Sequence, residues 1–208
     1  MTATVRSAKP SAKAAKAEAT RRALLASARS LFGEKGYAAT SVDEVVKHAG
    51  VTKGALYHHF KDKDQLFRAV VEEVKGEVTQ AAASSYFETF EGVDPLQTVH
   101  HTCVAVIDAH LDPAVQRITI LDARSVLDAS VRRELDARYE VALLRGAFRG
   151  AMRSGLVDRQ PIITLAHVVA GALTEGCALI AEADDKETAR AEVVAVISRL
   201  LDGLRPRT

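Results

Sequence analysis

Tryptophan is absent from this 208-residue chain, cysteine and methionine occur twice each, and proline occurs five times. Two cysteines, Cys103 and Cys177, are too few for a disulfide framework, so reduced thiols in a cytosol are the expected state. No stretch approaches the roughly 18 uninterrupted apolar residues of a spanning helix. The N-terminal MTATVRSAKPSAKAAKAEATRR is basic but lacks the apolar run of a secretory leader. A cytoplasmic protein with no membrane partner is expected. There is no Gly-rich phosphate loop, nucleophile elbow or zinc-protease signature, and Asp108, Asp112, Asp122 and Asp128 read as solvated helix faces. An enzyme is therefore not expected, nor a catalytic residue, cofactor or metal. Strands and solenoids are excluded by the lack of alternating apolar patterns and of any fixed repeat.

What is present is 48% apolar and 26% charged, the balance of a globular protein of one or two domains. The net charge of +1 conceals an asymmetry. Residues 1–75 hold 14 Lys/Arg against 8 Asp/Glu, net +6, whereas residues 76–208 hold 14 against 19, net −5. A basic first third on an acidic remainder points to two different partners, with a polyanion for the first.

Residues 1–17, rich in Ala, Lys and Ser, are expected to form a mobile basic arm. Beyond it the apolar period is helical. Leu24, Leu25, Ala28, Leu31 and Phe32 mark a first helix ended by Gly36. Ser41 with Glu44 has capping-box spacing for a second, to Ala49. Thr52 can cap a third through His59, and Asp62 with Gln65 a fourth that carries Leu66, Phe67, Val70, Val71 and Val74 into a second domain. Further helices are expected from Asp94-Pro95 to Leu111, from Asp112-Pro113 to Val126, from Ser130 to Gly155, from Pro161 to Ala183, and from Asp184 to Gly203. The class is all-α, divided as a helix-turn-helix domain over 18–65 and a helical bundle over 66–208.

Residues 36–67 read GYAATSVDEVVKHAGVTKGALYHHFKDKDQLF, two short helices around a Gly-containing turn. In a helix-turn-helix the second helix presents its N-terminal side chains to base edges in the major groove. On that geometry Thr52, Lys53, Gly54, Ala55, Tyr57 and His58 lie outward. Lys53 can donate to guanine, Gly54 and Ala55 let the backbone come close, and the methyls of Ala55 and Thr52 suit thymine. Tyr57, His58, Thr40 and Lys63 suit phosphate contacts, with Ser41 among the residues at the DNA face.

This segment, through Gly36-Tyr37, Thr40-Ser41, the run from Ala49 to Phe60, and Lys63-Asp64-Gln65-Leu66-Phe67, closely resembles the DNA-binding domain of the TetR family of bacterial transcriptional regulators. The resemblance covers roughly residues 20–70. It implies a homodimer on a near-palindromic operator of double-stranded DNA, acting as a repressor released by a small-molecule effector. It also implies a dimer interface on the last two long helices. Val168, Gly171, Ala172, Glu175, Val193, Val196, Ile197 and Leu200 suit that role. An effector cavity among the middle helices could be lined by Phe87, Phe90, Val104, Ile107, Leu121, Leu143, Phe148 and Leu173, with His100, Cys103, Arg124 and Tyr139 also facing it. His100, Cys103 and His110 share a helix face, but His110 lies about 10 Å along the axis from Cys103 at ~1.5 Å per residue, so one helix cannot assemble a metal site. The alternative is a helical small-molecule-binding protein with little DNA affinity, against which Lys53, Tyr57 and Lys63 argue.

Overall fold

The computed structural model describes residues 11–87 and 94–206, and among them every regular element is helical. The first helix, α1 (Ala12–Lys35), begins earlier than the sequence suggests. Ser11 caps it, its side chain accepting the Ala14 N–H at 3.2 Å. Residues 12–17, expected in a mobile arm, are thus an exposed helical extension. Alanine and lysine are strong helix formers, so once a cap is present no packing is needed to carry the helix back.

Next come α2 (Val42–His48), α3 (Lys53–His59) and the long α4 (Lys63–Phe87). The rest of the bundle is α5 (Pro95–Ala109), α6 (Pro113–Gln116), a π-helical segment (Arg117–Asp122), α7 (Ala123–Val126), α8 (Ala129–Arg138), α9 (Glu140–Arg153), α10 (Ile162–Glu182) and α11 (Lys186–Asp202). Asp94 and Asp112 cap α5 and α6 with proline at the first turn, as their sequences predict. The final helix is capped by Asp185 rather than Asp184.

The long helix expected from Ser130 to Gly155 is two helices broken at Tyr139. The break lets Glu140 turn inward, where it is buried and accepts from Lys75 Nζ at 2.7 Å. Lys75 Nζ also donates to Asp136 at 2.9 Å. A three-charge cluster buried across α4 and α8/α9 outweighs the continuity of one helix, because an unpaired buried ammonium is far costlier than a lost helical turn.

Two apolar cores result. The first gathers Leu24, Phe32, Val45, Leu56, Phe60, Phe67 and Val71 with Ile118, Ala123, Leu127 and Leu135 from later in the chain. At its centre Phe32, Tyr37 and Phe67 meet with ring centroids 5.0–5.8 Å apart. The second contains Ala82, Val99, Ile107, Leu144, Phe148, Leu173, Cys177 and Ile197. Each fully buried Leu, Val or Phe contributes roughly 1.5–3 kcal/mol. The boundary expected after residue 65 therefore cuts the first core: Leu66, Phe67, Val70, Val71 and Val74 of α4 pack there, and among the described side chains of α4 it is Ala82 that joins the second core.

Among the described residues α10 alone is long and apolar enough to cross a membrane. Ala166, Ala170, Leu173, Cys177 and Ile180 bury one side of it in the second core, and His167, Thr174 and Glu175 interrupt its apolar sequence. Gly176 sets the approach of α11: a Cβ there would lie 2.6 Å from Val193 Cγ1.

Candidate nucleic-acid interface and ligand cavity

The two short helices are held by their caps. Ser41 Oγ accepts the Glu44 N–H at 3.2 Å while Glu44 Oε2 accepts the Ser41 N–H at 2.8 Å, the reciprocal capping box that the spacing predicts. Lys35 Nζ adds a bond to Glu44 Oε1 at 2.6 Å. The Lys35 bond, followed by those from Ser41, lowers the Glu44 carboxyl to about 2. Gly50, at φ 66°, supplies the left-handed residue that turns the chain, and the Val51 N–H donates back to the Val46 carbonyl at 3.0 Å. Thr52 Oγ1 then accepts the Ala55 N–H at 3.2 Å and starts α3.

Leu56 and Phe60 are buried and fix α3 against α1 and α2. The opposite side faces solvent. Thr52, Lys53, Gly54 and His58 are exposed, Tyr57 is 50% exposed, and Ala55 is half-buried. Lys53 Nζ lies 2.9 Å from Asp43 Oδ1, and the bond to Asp43 raises its pKa, so it is a cation at neutral pH. Both partners are exposed, so the pair is weak and readily exchanged for another anion. A Cβ added at Gly54 would meet nothing nearer than Thr52 Oγ1 at 3.9 Å. Glycine disfavours a helix by roughly 0.5–1 kcal/mol relative to alanine, and nothing in the chain requires it there.

Two expected contact residues are used otherwise. Thr40 is 1% exposed; its hydroxyl donates to the Gly36 and Leu31 carbonyls at 2.8 and 3.3 Å, pinning the α1–α2 turn. Lys63 is half-buried, its Nζ 2.6 Å from the Tyr37 carbonyl and 3.9 Å from the centroid of the Tyr37 ring, and burial lowers its pKa. The Tyr37 hydroxyl in turn donates to Asp64, and burial followed by that bond raises the pKa of the phenol. Lys63, Tyr37 and Asp64 thus clamp the start of α4 to the helix-turn-helix.

The later helices hold the same turn. The Tyr37 N–H donates to Asp122 Oδ2 at 2.7 Å, and Arg117 Nη1 donates to the Glu34 carbonyl, so both ends of the π-helical segment reach the α1–α2 corner. Meanwhile α4 is bound to α8 through Arg68–Glu134, at 3.0 Å, and through Lys75, and to α1 by Arg29–Glu77 at 2.6 Å. The start of α4 and residues 117–122 are thus bonded directly to the α1–α2 corner.

Most of the residues expected to line a cavity among the middle helices are placed elsewhere. Cys103, Ile107, Phe148 and Leu173 are buried in the second core, Leu143 packs half-buried against it, and Val104 is half-buried. His100 Nε2 lies 2.7 Å from Ser198 Oγ, and Leu121 is exposed. Tyr139 packs its ring against Gly76 and reaches Glu72. Phe90 and the side chain of Phe87 lie outside what the structure describes. Both thiols are buried, and burial pushes their pKa values up to about 12, which keeps Cys103 and Cys177 protonated at neutral pH.

A cavity of about 240 Å³ lies instead between α4, the π-helical segment, α7, α8 and α10. Val71, Ala123, Leu127 and Leu135 give it apolar walls, and Lys75, Thr119, Arg124, Arg132, Asp136 and Thr174 give it polar ones. Of these only Arg124 was legible from the sequence. The one visible hint for the others is Lys75 directly after the apolar stripe that ends at Val74, a position where a lysine needs carboxylate partners.

The face of α10 and α11 turned from the core is apolar: Ile163, Val168, Leu179, Val196 and Leu200 are 53–65% exposed. A shallow groove of about 160 Å³ runs between Leu165, Val168, Ala172, Ile197 and Leu200. Gly171 and Glu175 also face outward, and Ala172 is half-buried. Val193, by contrast, packs inward on Gly176, and Ile197 is buried at the floor of the groove.

Two family models match the chain: residues 24–70 match the bacterial regulatory proteins, tetR family, and residues 96–204 the tetracyclin repressor-like C-terminal domain. A crystal structure of a TetR-family transcriptional regulator from Pectobacterium atrosepticum is 35% identical, with TM-score 0.79 over 93% of this chain and 97% of that one. The HTH-type transcriptional regulator AcrR of Shigella flexneri is 34% identical over 102 residues, 49% of this chain. That match spans 46% of AcrR, less than half its length. RolR, crystallised with its ligand resorcinol, shares the fold at 20% identity, with TM-score 0.69 over 93% of this chain and 98% of its own.

Proposed function

The chain belongs to the TetR family of bacterial regulatory proteins, and on that premise we propose that it is a cytoplasmic, homodimeric repressor of transcription that a small molecule releases from a near-palindromic operator. The family is not one of enzymes. The observation that carries the DNA-binding reading is the outward face of α3. It presents Lys53, Gly54, Tyr57 and His58 while the chain gives Gly54 no packing reason to lack a side chain. A close approach to a duplex supplies that reason. Lys53 then donates to base edges at the mouth of the major groove, Tyr57 and His58 reach phosphates, and the caps Ser41 and Thr52 keep exposed hydroxyls beside them.

Two-fold symmetry requires a self-complementary surface, and the apolar face of α10 and α11 fits one. Val168, Val196 and Leu200 are too exposed and too apolar to be left in water, and a second copy covers them without asking for a lipid bilayer. Release then follows from geometry. A ligand between α4 and residues 117–122 pushes on the two elements that hold the α1–α2 corner, and shifts the spacing of the recognition helices by as much as its affinities for the two states differ.

Fluorescence anisotropy against duplexes from the DNA flanking the gene, with a scrambled duplex at matched salt, tests this reading. One dimer per site, with clear preference for the native sequence, supports it. Equal, salt-sensitive binding to both duplexes favours the alternative of a helical small-molecule-binding protein with little use for DNA.

A further inference from the structure

The chemistry of the cavity between α4 and α8 specifies its ligand more closely than the family does, and the following rests on the regulator reading above. Three cationic side chains and one carboxylate line the space: Lys75, Arg124, Arg132 and Asp136. Lys75 is already neutralised. Its side chain is 9% exposed and its Nζ lies 2.9 Å from Asp136 and 2.7 Å from Glu140. Arg124 Nη2 meets Glu175 at 2.7 Å, but both side chains are largely exposed, at 42% and 63%, so that pair is cheap to exchange.

Arg132 is the exception. Among the described residues no carboxylate pairs with it; its Nη1 donates to the carbonyls of Arg124, at 3.0 Å, and Leu127. Those bonds tie the guanidinium to the end of α7, and Arg124 lines the same cavity. They leave the other donors of the fork for something not in the chain. Val71, Leu127 and Leu135 line the same space with apolar atoms.

We propose that this cavity binds a small organic carboxylate, its anion held by Arg132 and Arg124 and its hydrocarbon part laid against Val71, Leu127 and Leu135. Two guanidiniums with one unpaired fork select a planar anion over an amide of the same shape. At about 240 Å³ the space lies below the range of about 300–1,000 Å³ that holds drug-sized ligands. A single ring or a short chain fills it. Drawing Arg124 from Glu175 also loosens α7 from α10, and α7 continues directly from the π-helical segment whose Asp122 holds Tyr37.

The test is isothermal titration of the full-length protein with benzoate and hexanoate, with benzamide, hexanamide and benzylamine as matched controls, alongside Arg132→Gln and Arg124→Gln. Arg132→Gln removes the anchor on the α7–α8 turn, so its thermal unfolding is recorded too; Arg124→Gln touches only an exposed pair and serves as the variant that folds. The expected result is binding of at least one carboxylate, about tenfold or more over its amide, with each substitution losing that margin. Equal binding of acid and amide, preference for benzylamine, full affinity in Arg124→Gln, or no carboxylate binding would each overturn it. Operator binding is scored separately: retained operator preference with no carboxylate effect rejects this inference alone, and lost operator preference rejects the regulator reading.

Discussion

The recognition helix and the cavity behind it are built on opposite terms. On α3 the side chains proposed to meet DNA are ones the cores do not use: Lys53, Gly54, Tyr57 and His58 stand outside both. At the cavity the proposed anchor is one the fold does use, since Arg132 closes the α7–α8 turn, beside Lys75, which ties α4 to α8. A binding face made of side chains without structural duty can be exchanged residue by residue while the fold stands. A binding face made of structural side chains cannot be altered, by mutation or by ligand, without moving its neighbours. The second arrangement is what a sensor needs, and the first is what a reader of sequence needs.

The comparison can be broken at several points, and the largest effect lies at neither face. Val196→Glu with Leu200→Glu places charges on the exposed side of α11 and is expected to give a monomer by sedimentation. Operator affinity should then fall by about 10²–10⁴-fold, the gain that joining two half-site readers supplies. A dimer that persists would move the interface elsewhere. Asp122→Ala removes the carboxylate that accepts the Tyr37 N–H. A hydrogen bond to a charged group contributes about 1.5–3 kcal/mol, so unfolding should shift down by several degrees, with α2 and α3 losing hydrogen-exchange protection before the second core does. Uniform loss would detach residues 117–122 from the role of connector.

On the reading face, Lys53→Ala should lower preference for the operator by about 1–3 kcal/mol, the value of one good base contact, and leave unfolding nearly unchanged. A loss equal on native and scrambled DNA would make Lys53 a phosphate contact instead. The smallest effect is on pH. The Glu44 carboxyl stands at about 2, below its ordinary 4.5, because Lys35 and Ser41 donate to it. Its contribution is complete above about 4.5 and is lost as pH falls toward 2. Glu44→Gln should therefore flatten the acid limb of a stability–pH profile slightly; an unchanged limb would mean that the capping box is not populated in solution.

How much of this was legible follows the same division. Ser41 with Glu44, Gly50, Thr52, Asp94-Pro95 and Asp112-Pro113 announce their turns and caps because cap chemistry acts within four residues. The outward set on α3 follows from helical period alone. What could not be read depends on partners far along the chain. Thr40 looks like a surface hydroxyl until Leu31 and Gly36 close over it. Lys63 looks like a phosphate contact until Tyr37 is folded beneath it. The break at Tyr139 answers to Lys75, 65 residues upstream of the Glu140 it pairs with. A void is the least legible feature of all, because it is set by where several helices fail to meet: of the expected cavity residues, only Arg124 lines the cavity between α4 and α8.

The central claim is that the outer face of α3 is shaped for something outside the chain, and Gly54→Ala tests it most directly. The added methyl meets nothing nearer than 3.9 Å within the protein. The account predicts a protein more stable by roughly 0.5–1 kcal/mol, melting about 1–4 °C higher, whose operator affinity nonetheless falls. A variant that is stabilised and binds its operator as tightly as the parent would contradict it.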